Sequence, residues 1–187
     1  MAEAVFKHTV KQKGLESKFI VDSCGTNVWR EPPNPKSVEV CRKHNIDINH
    51  RSRKISKEDF DKFDYVLCMD DMNLLDAERL KPEASKSIVK LFGEYDPQGE
   101  KVIRDPYFGD IKDYETSFGQ VTRCSEGFLK ILVIVDFSIL CRQLVAPKST
   151  LESLRLASPC LGWAGSSVLN LNLNHSPRTV VLRPLGL

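Results

Sequence analysis

Asp105 stands before a proline and an aromatic in "VIRDPYFGD" (residues 102 to 110). That setting presents a rigid carboxylic acid beside a flat surface, where it can protonate a departing oxygen. A proton donor of this kind needs a nucleophile. Of the six cysteines, Cys24, Cys41, Cys68, Cys124, Cys141 and Cys160, only Cys24 is followed by an arginine six positions on, in "CGTNVWR". On pattern alone this is a Cys-x5-Arg anion loop directly after a strand-like run, where Arg30 and convergent N–H groups could stabilise a thiolate. Two features count against it. Glu31 would repel an anion, and Pro32 and Pro33 remove N–H donors where a helix N-terminus should supply them. Cys24 is therefore read as a decoy. His50 lies in "INHRSRKI" (48 to 55), and a lone histidine is more often a satisfied structural group than a catalyst.

The elements that must position these residues alternate along the first 130 residues. Residues 2 to 13 read as an amphipathic helix carrying Val5, Phe6, Thr9 and Val10 on one side, with Gly14 where a C-cap would want it. "KFIVDS" (18 to 23) reads as a strand, and "PKSVEVCRKHN" (35 to 45) as a helix with Pro35 at its first position. Ser56 and Asp59 in "SKEDF" form a capping-box-like start. "FDYVLCM" (63 to 69) is a second strand, a helix follows from about Asp71 to Leu80, and "SIVKLF" (87 to 92) is a third, shorter strand. A last helix runs from about Asp113 to Lys130 with Phe118, Val121, Cys124 and Phe128 inward. This alternation predicts an α/β fold, a parallel sheet with helices on both faces. Ligands of such sheets sit at the carboxyl ends of the strands.

Composition divides the chain near residue 130. Residues 1 to 130 carry 22 Lys and Arg and 23 Asp and Glu, a globular balance, whereas 131 to 187 carry two acids against five bases. Residues 141 to 187 hold eleven leucines with no helical or strand period, broken by "APKST", "ASPCLGWAGSS" and "NHSPR". The expected division is a domain over 1–130 and an irregular C-terminal extension over 131–187. The net charge of +2 gives no electrostatic case for nucleic acid or an anionic membrane. The longest apolar run, "ILVIVDFSIL" (131 to 140), is well short of the ~20 residues that span a bilayer. The first residues, "MAEAVFKHTVKQKG", lack the apolar core of a secretory signal. With cysteines spread without CxxC pairs, the expectation is a cytoplasmic protein with reduced thiols.

Asp22-Ser23-x-Gly25-Thr26, Cys68-Met69-Asp70 with Asn73-Leu74, and Asp105-Pro106-Tyr107 occur in that order, with "INHRSRKI" and "YDPQ" (95 to 98) between them. Together they resemble the low-molecular-weight protein tyrosine phosphatases, or acid phosphatases, over residues 1 to about 130. The resemblance implies a flavodoxin-like fold and hydrolysis of phosphotyrosine or aryl phosphates through a cysteinyl-phosphate, with no metal or other cofactor. It makes Asp105 the general acid and Trp29 and Tyr107 aromatic walls of the substrate pocket. Many relatives have a second tyrosine where this chain has Phe108. Ser23, His50 and Arg53 match positions that support the phosphate loop from behind, and Asp70 matches a family feature that helix capping explains equally well.

In that family the Cys-x5-Arg-Ser loop opens a helix that commonly reads S-P-M-A-E-A-V-F, and this chain begins "MAEAVF". The expectation is therefore a variant truncated before the phosphate loop, lacking nucleophile, arginine and the central strand, inactive as it stands. The alternative is a non-enzymatic interaction or weak phosphopeptide-binding remnant. The missing strand belongs between the first and second strands read above, and four or five lost aliphatics at roughly 1.5–3 kcal/mol each amount to about 6–15 kcal/mol. Flanking strands would expose unpaired edges. "ILVIV" (131 to 135) is β-branched enough to substitute, although in sequence it simply extends the last helix.

Overall fold

A computed structural model of the chain describes residues 1–26, 32–50, 53–145 and 178–182. Helix α1 (Ala2–Gln12) buries Ala2, Glu3, Val5, Phe6, Thr9 and Val10, the face its 3.6-residue period predicts. It stops at Gly14, whose φ of +65° suits a glycine and whose N–H donates to Lys11 O. The chain then enters β1 (Phe19–Asp22). Helix α2 (Pro35–Lys43) has Pro35 at its start, and the Asn34 side chain accepts from Lys36 N–H. The short α3 (Asp59–Lys62) begins where Asp59 reaches back to accept from Ser56 N–H, one half of the expected box. Strand β2 (Tyr65–Cys68), helix α4 (Asp71–Leu80) and strand β3 (Ile88–Leu91) follow within a residue or two of their predicted limits.

Helix α5 (Ile111–Val145) departs from prediction at its C-terminal end. Asp110 Oδ1 accepts from the N–H groups of Lys112 and Asp113, which fixes its start. Phe118, Val121, Cys124 and Phe128 are buried as predicted. The helix then runs through "ILVIV" to Val145, because no glycine or proline interrupts residues 128 to 145. Residues 131–135 are therefore helical and form no substitute strand. The boundary placed near residue 130 falls inside α5.

The sheet is parallel and four-stranded, in the order β1-β4-β2-β3. Strand β4 is Arg178–Leu182, from the segment that carries no sequence period. It pairs with β1 (Phe19↔Arg178 to Asp22↔Val181) and with β2 (Tyr65↔Val180 to Leu67↔Leu182). The sequence reading leaves the place between β1 and β2 empty, and this strand occupies it. The facing edges of β1 and β2 are thus paired, where the sequence reading had them unpaired.

Helices α1, α2 and α5 pack together on one face, around Phe6, Phe92, Phe128 and Tyr114. Phe6 meets the rings of Phe19, Phe92 and Phe128 at 5.9–6.3 Å between centroids. The second face carries a smaller cluster from α3 and α4, with Phe60, Phe63, Val66, Ala77 and Leu91. Helices thus cover both faces of the sheet, the arrangement expected of a parallel sheet.

Candidate active site

At the carboxyl end of β1 the chain reads Asp22-Ser23-Cys24-Gly25, and residues 53 to 55 lie alongside it. Gly25 N–H donates to Arg53 O at 2.9 Å and Ile55 N–H to Gly25 O at 3.0 Å. This clamp places the Arg53 guanidinium between two carboxylates. Its Nε and Nη2 donate to Asp22 Oδ2 at 3.0 and 2.8 Å, while Nη1 and Nη2 bind the two oxygens of Asp59 at 2.8 and 2.9 Å. The bonds to Asp59, with those to Asp22, hold Arg53 still further above its ordinary range. Burial pushes the Asp59 carboxyl up, but hydrogen bonds from Arg53 and from Ser56 outweigh it and leave Asp59 below the usual carboxylate range.

Glu3 organises the other side. It is 6% exposed, in the first turn of α1 on the same face as Phe6 and Val10. Ser23 Oγ donates to Glu3 Oε2, and His50 Nδ1 lies 2.9 Å from the same oxygen, while Lys7 donates to Oε1. His50 Nε2 is buried and finds no hydrogen-bond partner among the described residues. Ser23, His50 and Arg53, which the family resemblance places behind the phosphate loop, thus each bond to a carboxylate of this chain. Ligand atoms of Glu3, Asp22 and His50 lie within 4.8 Å of one another. A cation there would compete with Arg53 for Asp22 and with Ser23 and Lys7 for Glu3, so the hydrogen bonds already account for these groups.

The Asp105 loop is tied to the same end of the sheet from two directions. Ile103 N–H donates to Met69 O at the end of β2, at 2.8 Å. From α5, Gln120 Nε2 donates to Glu100 O and Val102 O, and Ser117 Oγ donates to Arg104 O. Asp105 is exposed, and its Oδ1 accepts from Tyr107 N–H at 3.0 Å across buried Pro106. That Asx turn holds the carboxylate at the rim. Tyr107 and Phe108 meet edge to face at 5.0 Å, with Phe108 97% exposed. Lys36 of α2 donates to Gly109 O at 2.7 Å and closes the loop from the far side. Asp70 caps α4, its Oδ1 accepting from Asn73 N–H at 2.7 Å.

Cys24 takes no part in this surface. It is 3% exposed and packs with Ile55, Phe60, Phe63 and Val66. Burial pushes its thiol up to about 12, although Arg53 pulls the other way. Trp29 and Arg30, the predicted pocket wall and the arginine of the decoy loop, lie outside the described residues.

Sequence reasoning missed Glu3, Asp59, Ser117 and Gln120 as positioning residues. The signal for Glu3 was present, a carboxylate three and seven residues before Phe6 and Val10 on an apolar stripe. Ser117 and Gln120 sit on α5 beside Phe118 and Val121 and carried no comparable mark.

At the carboxyl end of this parallel α/β sheet lie the Asp105 loop, buried Ser23 and the partly exposed His50 and Arg53. The family model described as low molecular weight phosphotyrosine protein phosphatase matches residues 1–134, and the chain belongs to that family. It is 40% identical over 136 residues to the Saccharomyces cerevisiae enzyme of that name, covering 70% of this chain and 84% of the relative. The Schizosaccharomyces pombe protein is 42% identical over 134 residues, with 70% and 86% covered. Among solved structures, a protein tyrosine phosphatase from Entamoeba histolytica superposes with a TM-score of 0.68 at 25% identity, covering 72% of this chain and 88% of that one. The Drosophila arginine phosphatase DARP superposes at 0.66 and 30% identity, with 70% and 87% covered.

Proposed function

We propose that residues 1–187 form a member of the phosphotyrosine phosphatase family that does not itself hydrolyse phosphate esters. The observation that carries this reading is the state of Cys24, the one cysteine with an arginine six positions on. Burial pushes its thiol up to about 12, so at mildly acidic pH it is held as the neutral thiol. Buried among Phe60, Phe63 and Val66, it also offers no path to a substrate. Family chemistry requires the opposite, an exposed thiolate in a cradle of N–H groups.

What the chain keeps is the framework around that chemistry. Asp105 is the group that would protonate a leaving tyrosine oxygen, whose ordinary pKa of about 10 makes it a poor leaving group unprotonated. Tyr107, with Trp29, would flank an aryl ring, and Ser23, His50 and Arg53 would brace a phosphate loop. With Cys24 buried, these groups support recognition. The exposed Tyr107–Phe108 pair beside an anchored loop favours contact with a phosphotyrosine-bearing protein. Nucleic acid and membrane are not among the proposed partners: the net charge is +2, and no described helix is long and apolar enough to cross a membrane. The free thiols of Cys24, Cys41 and Cys124 favour a cytoplasmic setting.

Hydrolysis of an aryl phosphate at mildly acidic pH, with vanadate binding measured on the same samples, tests the proposal. Parent and Cys24→Ser should both give background turnover, and vanadate should not bind. Turnover by the parent that Cys24→Ser abolishes would overturn it.

A further inference from the structure

Two thiols share a cavity on the second face of the sheet. Asp22 of β1 and Val66 of β2 both pair with Val181 of β4. Cys24 and Cys68 each lie two residues further on, so they share a level and, by the alternation of side chains, a face. Both are free and buried, 3% and 4% exposed, and both line one cavity of about 20 Å³, room for a single water-sized guest. Asn73 of α4 lines it too. That residue is 6% exposed, and its buried Oδ1 finds no hydrogen-bond partner among the described residues. A dry carbonyl oxygen of this kind calls for a ligand. Water is a poor one, because a buried water makes about three hydrogen bonds. Here the Gly25 N–H and C=O are already committed to Arg53 and Ile55, and Ile55, Val66 and Ala77 present apolar surface.

We propose that Cys24, Cys68 and Asn73 form a binding site for a cuprous ion, with two sulphur ligands and the Asn73 oxygen as a weaker third. One strand separates β1 from β2, so their backbones lie about 9.6 Å apart. In a disulfide the Cα atoms stand up to about 6.8 Å apart over a bond of about 2.05 Å, so each cysteine side chain covers up to about 2.4 Å. That leaves about 4.8 Å between the sulphurs, too far for a disulfide and close to two metal–sulphur bonds of about 2.3 Å each. Soft thiolates in an apolar setting select Cu(I), whereas structural zinc takes four ligands and these residues offer three. The Arg53 charge, which acts on Cys24, offsets the excess negative charge of two thiolates on a monovalent ion. Thr26 on the same wall is partly exposed, which gives a bare ion an approach. Binding breaks two S–H bonds and forms two Cu–S bonds, two protons pass to solvent, and copper stays Cu(I) throughout.

The test is titration of the reduced full chain with Cu(I), without oxygen, against a chromogenic Cu(I) chelator. Cys24→Ala and Cys68→Ala should each weaken the tightest copper by more than the roughly 10–100-fold that loss of an outer partner costs. Asn73→Ala should weaken it less, and Cys41→Ala and Cys124→Ala should leave it unchanged. On the unsubstituted chain at one equivalent, X-ray absorption should count two sulphurs on copper, and a lightly buffered solution should gain two protons per ion. Those two readings stand whether or not a variant folds. Copper held as tightly by folded Cys24→Ala as by the parent would place it on other cysteines and overturn the assignment. One sulphur or none on copper, no copper bound, or zinc held more tightly than Cu(I) would do the same.

Discussion

Arg53 joins three segments through one side chain, the end of β1 at Asp22, its own strand-like segment beside Gly25, and the start of α3 at Asp59. A lysine offers a point charge in place of a fork and cannot bridge both carboxylates with the same geometry. Arg53→Lys should therefore still destabilise the protein. Arg53→Ala should cost about 2 kcal/mol, less than the 3–5 for a fully buried pair because a third of the side chain is in water. Urea unfolding of both variants checks the order, and an alanine variant as stable as the parent would contradict it. Glu3→Gln keeps the shape but turns part of an acceptor into a donor facing Ser23 and His50. It should cost roughly 1–3 kcal/mol. At this scale the sequence was informative where chemistry has a signature. Asp105 stands out by type and neighbours and Ser23, His50 and Arg53 only through the family resemblance, whereas Gln120 holds the Asp105 loop through two backbone carbonyls that no sequence pattern displays.

Two elements meet at Gly127 of α5, and the contact gives a sharp expectation. A Cβ on Gly127 of α5 would lie 2.0 Å from Tyr95 O, so the 3-10 turn at 92–95 touches the helix backbone itself. Gly127→Ala must push the two apart, at about 3 kcal/mol. In a chain of this size that lowers the thermal midpoint by roughly 6–12 °C. Val181 pairs with both β1 and β2, so Val181→Pro removes an N–H from the centre of the sheet and should prevent stable folding. Helices α1, α2 and α4 and strands β1 to β3 could be read in advance because each carries its own period, cap or turn residue. The extent of α5 and the existence of β4 could not. "RTVVL" is five residues without alternation, following "NHSP", and only the neighbours it finds make it a strand.

Across the whole molecule, buried acids and thiols set the pH range of stability from opposite ends. Asp96 is held below the usual carboxylate range by the hydrogen bonds from Arg123, as Asp59 is by Arg53. Groups with a lowered native value contribute stability above the ordinary carboxylate range, and that contribution is lost as pH falls through their lowered values. Burial pushes Cys24 and Cys124 up to about 12 and Cys41 to about 11. Unfolding lets these thiols ionise near 8.5–9, so stability falls as pH rises from about 9 towards those raised values. The denaturation midpoint should decline on the acid side as the lowered carboxylates protonate and on the alkaline side above about pH 9 as the thiols ionise on unfolding. Cys124→Ala should lower the whole curve by opening a cavity and also make its alkaline limb shallower. An unchanged alkaline slope would count against the thiols. The position of β4 has a further consequence, in time. On the ribosome β1, β2 and β3 emerge well before the strand that must lie between them, so each nascent chain waits with two open β edges until residues 178–182 are made. Recovery of soluble protein should therefore depend on how fast translation proceeds from Leu91 to Leu182 and on chaperones that shield those edges, more than on the stability of the finished fold.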